Sequence, residues 1–190
     1  AAWSGTTAPG TTVTVAEPIL GRTLAIEAQL VVLATGIVPR LPPELAEAYG
    51  LADQGFSTHA VFFDYDKDGD LDVYLLNNSY QAIGTFNKMQ NERIKRDPVG
   101  GDKLFRNDGE KFTDVSEAAG IYGSVIGFGL GITIGDVNQD TWPDIFISND
   151  FFEKDYLYIN NQDGTFTESL ESTMLSLSAA SMGADIADIN

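Results

Sequence analysis

The stretch His59-Ala60-Val61-Phe62-Phe63-Asp64-Tyr65-Asp66-Lys67-Asp68-Gly69-Asp70-Leu71-Asp72-Val73-Tyr74-Leu75-Leu76 decides the fold. Two apolar runs rich in aromatic and branched residues, the composition of half-buried strands, flank an acidic loop too short to hold a helix. The pattern returns at Gly131-Ile132-Thr133-Ile134-Gly135, which leads into Asp136-Val137-Asn138-Gln139-Asp140-Thr141-Trp142-Pro143-Asp144 and then Ile145-Phe146-Ile147. It starts a third time at Met182-Gly183-Ala184-Asp185-Ile186-Ala187, followed by Asp188-Ile189-Asn190. Two loops complete the form D-x-[DN]-x-D-x-x-x-D, and the recurrence marks an internal repeat.

A second motif keeps step with the first. Leu104-Phe105-Arg106-Asn107-Asp108-Gly109-Glu110-Lys111-Phe112-Thr113-Asp114 parallels Leu157-Tyr158-Ile159-Asn160-Asn161-Gln162-Asp163-Gly164-Thr165-Phe166-Thr167-Glu168. Leu104 to Leu157 is 53 residues and Asp136 to Asp188 is 52, so the period lies near 52. Asp64 to Asp136 is 72, which puts about 20 extra residues in the first unit, between Asn78 and Gly101. That insertion carries Lys88, Arg93, Lys95 and Arg96, a basic patch in an acidic chain.

The loop spacing has a chemical reason. Calcium is a hard cation that takes about six to eight oxygens at roughly 2.3–2.6 Å. Alternate side chains of a tight loop point toward a common centre, so positions 1, 3 and 5 converge. A carbonyl at position 7 and an Asp at position 9 complete the set. The candidate ligands of the first loop are Asp64, Asp66, Asp68, the Asp70 carbonyl and Asp72; those of the second are Asp136, Asn138, Asp140, the Trp142 carbonyl and Asp144. Gly69 permits the bend at position 6. Thr141 replaces it in the second loop, which predicts a strained or differently shaped turn there. With fewer formal charges, the second loop is expected to bind more weakly. Magnesium fits less well, because it prefers a small octahedral shell that keeps several waters. An EF-hand would need a bidentate Glu at position 12, where Leu75 and Ile147 stand, and helices on both sides.

Composition agrees with a binding protein. The net charge is −17, with two basic and five acidic residues in 1–57 and nine basic and 23 acidic beyond. Such a surface repels phosphate backbones and anionic lipid, which excludes nucleic acid as a partner. No apolar run reaches the ~18 residues of a membrane span, so no membrane insertion is expected. With one His and no Cys, the chain has little material for imidazole or thiol catalysis, and no enzymatic activity is expected. Residues 1–5 lack a basic region followed by an apolar core, so no signal peptide is visible. The chain opens without Met and stops inside a third motif, the expected form of a fragment.

The first 56 residues read differently. Thr11–Glu17 and Arg22–Glu27 alternate around Pro18-Ile19-Leu20-Gly21 and predict a hairpin, with Val13 and Val15 on one face of the first run and Leu24 and Ile26 on one face of the second. Leu30–Ala34 predicts a buried strand ending at Thr35-Gly36, and Pro42-Pro43-Glu44 opens a short helix ending near Gly50. The domains are therefore expected at 1–56, a small α/β segment, and 57–190, the repeats.

Residues 59–190 resemble the FG-GAP or VCBS-type repeats of the family that includes cartilage acidic proteins and bacterial proteins with an ASPIC/UnbV tail. Related loops occur in integrin α propellers. The resemblance rests on the two Asp loops, the two Leu-aromatic-x-Asn…Gly…Phe-Thr segments and Ser181-Met182-Gly183-Ala184. It implies a mainly β chain, an incomplete β-propeller of about two and a half blades with the small α/β segment before it. It also implies structural calcium, an extracellular or cell-surface location, and protein or glycan partners in binding or adhesion. Separately, Val31-Val32-Leu33-Ala34-Thr35-Gly36 with Val38-Pro39, within residues 13–56, resembles the flavoprotein subunit of heterodisulfide reductases. That implies the remnant of an FAD-dependent oxidoreductase. The G-x-G-x-x-G turn that cradles the dinucleotide in such proteins is missing, and Gly127-Phe128-Gly129-Leu130-Gly131 has the wrong spacing.

Overall fold

The computed structural model describes residues 11–17, 22–28, 43–51, 54–79, 92–151, 153–178 and 180–187. The expected strand at Leu30–Ala34, most of the insertion (80–91) and the third motif at Asp188–Asn190 lie outside the described residues. Two compact units result, Ala1–Arg40 and Leu41–Asn190.

In the first unit, β1 (Thr11–Glu17) pairs antiparallel with β2 (Arg22–Ala28), Val13 opposite Ile26 and Val15 opposite Leu24. This is the hairpin that the alternation predicts. The second unit starts with α1 (Pro43–Tyr49), which ends at Gly50 in a left-handed conformation. The compact-unit boundary at Arg40/Leu41 thus falls before the short helix, whereas the composition change falls after it, at residue 56.

The rest of the second unit is two antiparallel meanders. The first sheet runs β3 (Phe56–Phe63), β4 (Asp72–Asn78), β5 (Lys103–Asn107) and β6 (Phe112–Asp114), each strand beside the next. The second repeats that order with β7 (Gly129–Gly135), β8 (Asp144–Asn149), β9 (Tyr156–Asn160) and β10 (Phe166–Glu168). A one-turn helix, α2 (Leu170–Thr173), follows. Both first strands carry a register shift at matching places, Ser57/His59 and Gly129/Gly131. β7 packs beside β3 and β4.

The continuous apolar runs of β4, β8 and β9 have a simple cause. These are interior strands buried on both faces, so every position is selected for burial rather than every second one. Tyr74, Leu76, Ile145, Ile147, Leu157 and Tyr158 have no exposed surface. One core serves both sheets: Phe63, Tyr65, Leu104, Ile121, Tyr156 and Phe166 join it. The rings of Tyr65 and Phe166, from different sheets, lie 5.9 Å apart. Tyr122 meets Tyr156 edge-on, with centroids at 5.5 Å. Phe62, by contrast, is 58% exposed, while its neighbour Phe63 turns into the core.

The described end of the insertion lies along the link between the sheets. Val125 N–H donates to the Lys95 carbonyl at 2.9 Å and Asp97 N–H to the Gly123 carbonyl at 2.6 Å. The Arg96 guanidinium donates to the Ile121 carbonyl, and Arg93 pairs with Glu153 of the second sheet's side. Arg96 and Arg93 therefore serve the fold: one binds a main-chain carbonyl, the other a buried carboxylate. The lead-in to the third motif forms no ladder among the described residues. It is held beside β7 and β8 by Thr133 Oγ1 donating to the Ala184 carbonyl at 2.7 Å and by Ser181 N–H donating to the Asn149 carbonyl at 2.9 Å.

Candidate metal centre

Both Asp-rich loops connect the first and second strands of their sheets, and their backbones match. Positions 4 and 6 are left-handed in each: Lys67 (φ 60) and Gly69 (φ 97) in the first, Gln139 (φ 61) and Thr141 (φ 74) in the second. Thr141 therefore does not reshape the turn. It takes up the glycine conformation, at the steric cost a β-branched residue meets there.

The same bonds build both loops. Gly69 N–H donates to Asp64 Oδ2 at 3.1 Å, as Thr141 N–H does to Asp136 Oδ2 at 2.8 Å. Asp70 N–H donates to Asp68 Oδ1 and Trp142 N–H to Asp140 Oδ1. The position-9 carboxylates are buried struts. Asp72 accepts from Tyr65 N–H (3.0 Å) and Asn107 N–H (2.8 Å); Asp144 accepts from Val137 N–H (2.8 Å) and Asn160 N–H (2.9 Å). Each thus ties the start of its loop to the end of the third strand. The Asn of the Leu-aromatic-x-Asn motif answers from the other side: Asn107 Nδ2 donates to the Leu71 carbonyl, and Asn160 Nδ2 to those of Pro143 and Tyr65.

In the first loop, Asp64, Asp66 and Asp72 each offer a carboxylate oxygen within 4.8 Å of the other two. No other such group of three acidic or imidazole side chains occurs among the described residues. Asp64 Oδ1 and Asp66 Oδ1 are buried and accept no hydrogen bond. An anionic oxygen left in that condition is costly, and a divalent cation removes the cost. Burial pushes the Asp66 carboxyl up, with Asp68 and Asp64 adding repulsion. Burial likewise pushes Asp72 up to about 6, against the two N–H bonds that favour its charge. The donor set is all oxygen, which suits calcium. Asp68 and Asp70 stand outside the group of three and are exposed. A cleft of about 410 Å³ opens beside the loop, lined by Asp66, Asp68, Arg106 and Gln162 among others.

The second loop gathers Asp136, Asn138, Asp140 and Asp144 on the same backbone, but binds their oxygens internally. Burial pushes Asp144 up, whereas the Trp142 N–H holds the Asp140 carboxyl below its ordinary range, helped by Asn138 and Gln162. Trp142 is half-buried and His59 exposed.

Residues 136–190 match the FG-GAP-like repeat family. The match begins at the first residue of the second loop and runs through β8, β9 and β10 to the next motif, one full period. That segment is thus similar to an FG-GAP-like repeat, and the sheet at 56–114 has the same strand order and loop geometry as the sheet within it. No curated protein matches the chain.

One device repeated in both sheets is not singled out by the loop motif. Asp102 accepts the N–H of Asn77 at 2.9 Å, and Asp155 that of Asn149 at 2.8 Å. The Asn amides return bonds to the carbonyls of Gly101 and Lys154. These aspartates close the far ends of β4 and β8 just as Asp72 and Asp144 close the near ends. The signal was present as D-x-Leu-aromatic, Asp102-Lys103-Leu104-Phe105 and Asp155-Tyr156-Leu157-Tyr158.

Proposed function

We propose that residues 57–190 are a calcium-bearing part of a β-propeller, one four-stranded sheet per blade, in a protein that binds or adheres to proteins or glycans outside the cell. The ion is structural, held by Asp64, Asp66 and Asp72, with Asp68 and the Asp70 carbonyl as the further oxygens of the loop. The observation that carries this reading is the pair of buried, unpartnered oxygens on Asp64 and Asp66 beside Asp72. The repeat match supports the propeller architecture. The likeness to cartilage acidic and ASPIC/UnbV-tailed proteins supports the cell-surface setting and the non-catalytic role. Bound calcium supplies positive charge where three carboxylates meet. Asp72 would then hold the ion, the loop and β5 together, which fixes the first sheet's edge beside the second. For residues 13–56 no flavin site is proposed, because the sequence has no G-x-G-x-x-G turn to cradle a dinucleotide.

The test is a thermal melt of the whole chain in calcium, in magnesium and in chelator. Calcium at 100 times its Kd adds about 2.7 kcal/mol, roughly 5–10 °C for a unit of this size. Asp66→Asn should abolish the rise. A melt indifferent to calcium refutes the reading.

A further inference from the structure

The two loops share a backbone but spend their oxygens differently. In the second, Asp136 accepts from Asp140 N–H at 3.0 Å and Thr141 N–H at 2.8 Å, one bond on each oxygen. Asp144 accepts from Val137 and Asn160 in the same way. Asp140 Oδ1 takes the Trp142 N–H at 2.8 Å; its Oδ2 takes the Asn138 amide at 2.9 Å and the Gln162 amide at 3.1 Å. Every carboxylate oxygen of that loop therefore accepts a hydrogen bond, a condition the first loop shares at Asp72 but not at Asp64 or Asp66. In the first loop Asp64 Oδ1 and Asp66 Oδ1 accept nothing.

Three differences in sequence produce the contrast. Asn138 stands where the first loop has Asp66, so position 3 brings N–H groups instead of a charge. Gln162 stands where the first sheet has Gly109. Both are left-handed, and both donate their backbone N–H to the Asn two residues earlier, at 2.8 and 3.0 Å. Only Gln162 has a side chain to send to the loop. The third difference is Thr141 for Gly69, and its hydroxyl is met from outside. Lys67, at position 4 of the first loop, extends its ammonium across to Thr141 Oγ1 at 3.1 Å, 4.7 Å from the centre of the Trp142 ring. A cation over an indole face with a hydroxyl acceptor is a stable seat for an ammonium.

We infer that the second loop is a metal-independent copy whose positive partners come from the chain itself. The amides of Asn138 and Gln162, which bind the Asp140 carboxylate, and the charge of Lys67, seated on Thr141 and Trp142 beside it, take the part that a divalent ion has in the first loop. Lys67 and Gln162 are thus the residues that limit this chain to one calcium rather than two. The inference rests on the calcium reading of the first loop, and it adds a consequence: the first loop, through Lys67, is part of what holds the second together.

Calorimetric titration of the whole chain with calcium chloride separates these claims. The unaltered chain should take one ion, Asp140→Asn still one, and Asp66→Asn none. The triple variant Asn138→Asp, Gln162→Gly, Lys67→Met, checked for folding by circular dichroism, should take two. Two ions on the unaltered chain, or a lost equivalent in Asp140→Asn, overturns the inference and leaves the calcium reading standing. A folded triple variant that stays at one ion also overturns it. No ion on the unaltered chain refutes the calcium reading instead, and melts in chelator then decide. There, Lys67→Met and Gln162→Gly should each lower the melting temperature by roughly 2–4 °C. Unchanged melts overturn the inference.

Discussion

Asp102→Asn should make the calcium-free protein more stable at neutral pH and leave it unchanged in acid. Asp102 is 6% exposed and pushed up from 3.8 to about 7, first by burial, against the N–H of Asn77, the hydroxyl of Tyr74 and the charge of Arg96, which favour ionisation. The folded state therefore holds the Asp102 proton more tightly than the unfolded chain does. Stability from this group is fully present below about pH 4 and is lost as pH rises toward 7, at about 1.4 kcal/mol per pH unit. Over the whole interval the loss reaches at most about 4 kcal/mol. Asparagine copies the protonated carboxyl, with one oxygen to accept the Asn77 N–H and a donor group toward Tyr74, and it does not titrate. The assay is urea unfolding of both proteins in chelator from pH 4.5 to 8, with the difference in unfolding free energy plotted against pH. Groups that titrate alike in both cancel in that difference. The curve should rise in favour of the variant between pH 5 and 7 and level off beyond. A flat difference, or one that favours the unaltered chain more as pH rises, refutes the assignment of a raised carboxyl at this position.

Two further outcomes follow from the same geometry. Gly69→Ala meets no atom within 4 Å, so its effect is purely that of the backbone at φ 97. About 1–2 kcal/mol of left-handed strain, less about 0.5–1 kcal/mol of entropy regained on replacing glycine, leaves a small destabilisation, measurable as a lower urea midpoint in chelator. Tyr158→Phe removes the fully buried hydroxyl that accepts the Tyr122 N–H at 3.0 Å. About 1–2 kcal/mol should be lost, read as a fall of a few degrees in the melting temperature.

Much of the molecule was legible before folding. The alternation of Val13, Val15, Leu24 and Ile26 fixes a hairpin by itself, because strand faces depend only on parity along the chain. The loops were legible because their acidic positions are near neighbours in sequence, and a tight turn has few ways to arrange them. Of the two outcomes the sequence left open at Thr141, strain or a different shape, the strain is the one present: the β-branched residue does not reshape the turn but takes a left-handed backbone. The Asp136 carboxylate and the buried strut at Asp144 hold Thr141 in it. The strutting role of Asp72 and Asp144 was hidden because their partners Asn107 and Asn160 belong to another strand.

The sequence alone determined the period, by recurrence of its motifs, and the loops with the strands that flank them, since each of these depends on residues within a dozen positions of one another. Only the tertiary structure decided which carboxylate oxygens stay unpartnered, that Asn160 reaches back to Tyr65, and that Lys67 lies against Thr141 and Trp142. Those facts depend on how two sheets pack around one shared core. Whether an anionic oxygen meets an amide, an ammonium or nothing is settled by that packing.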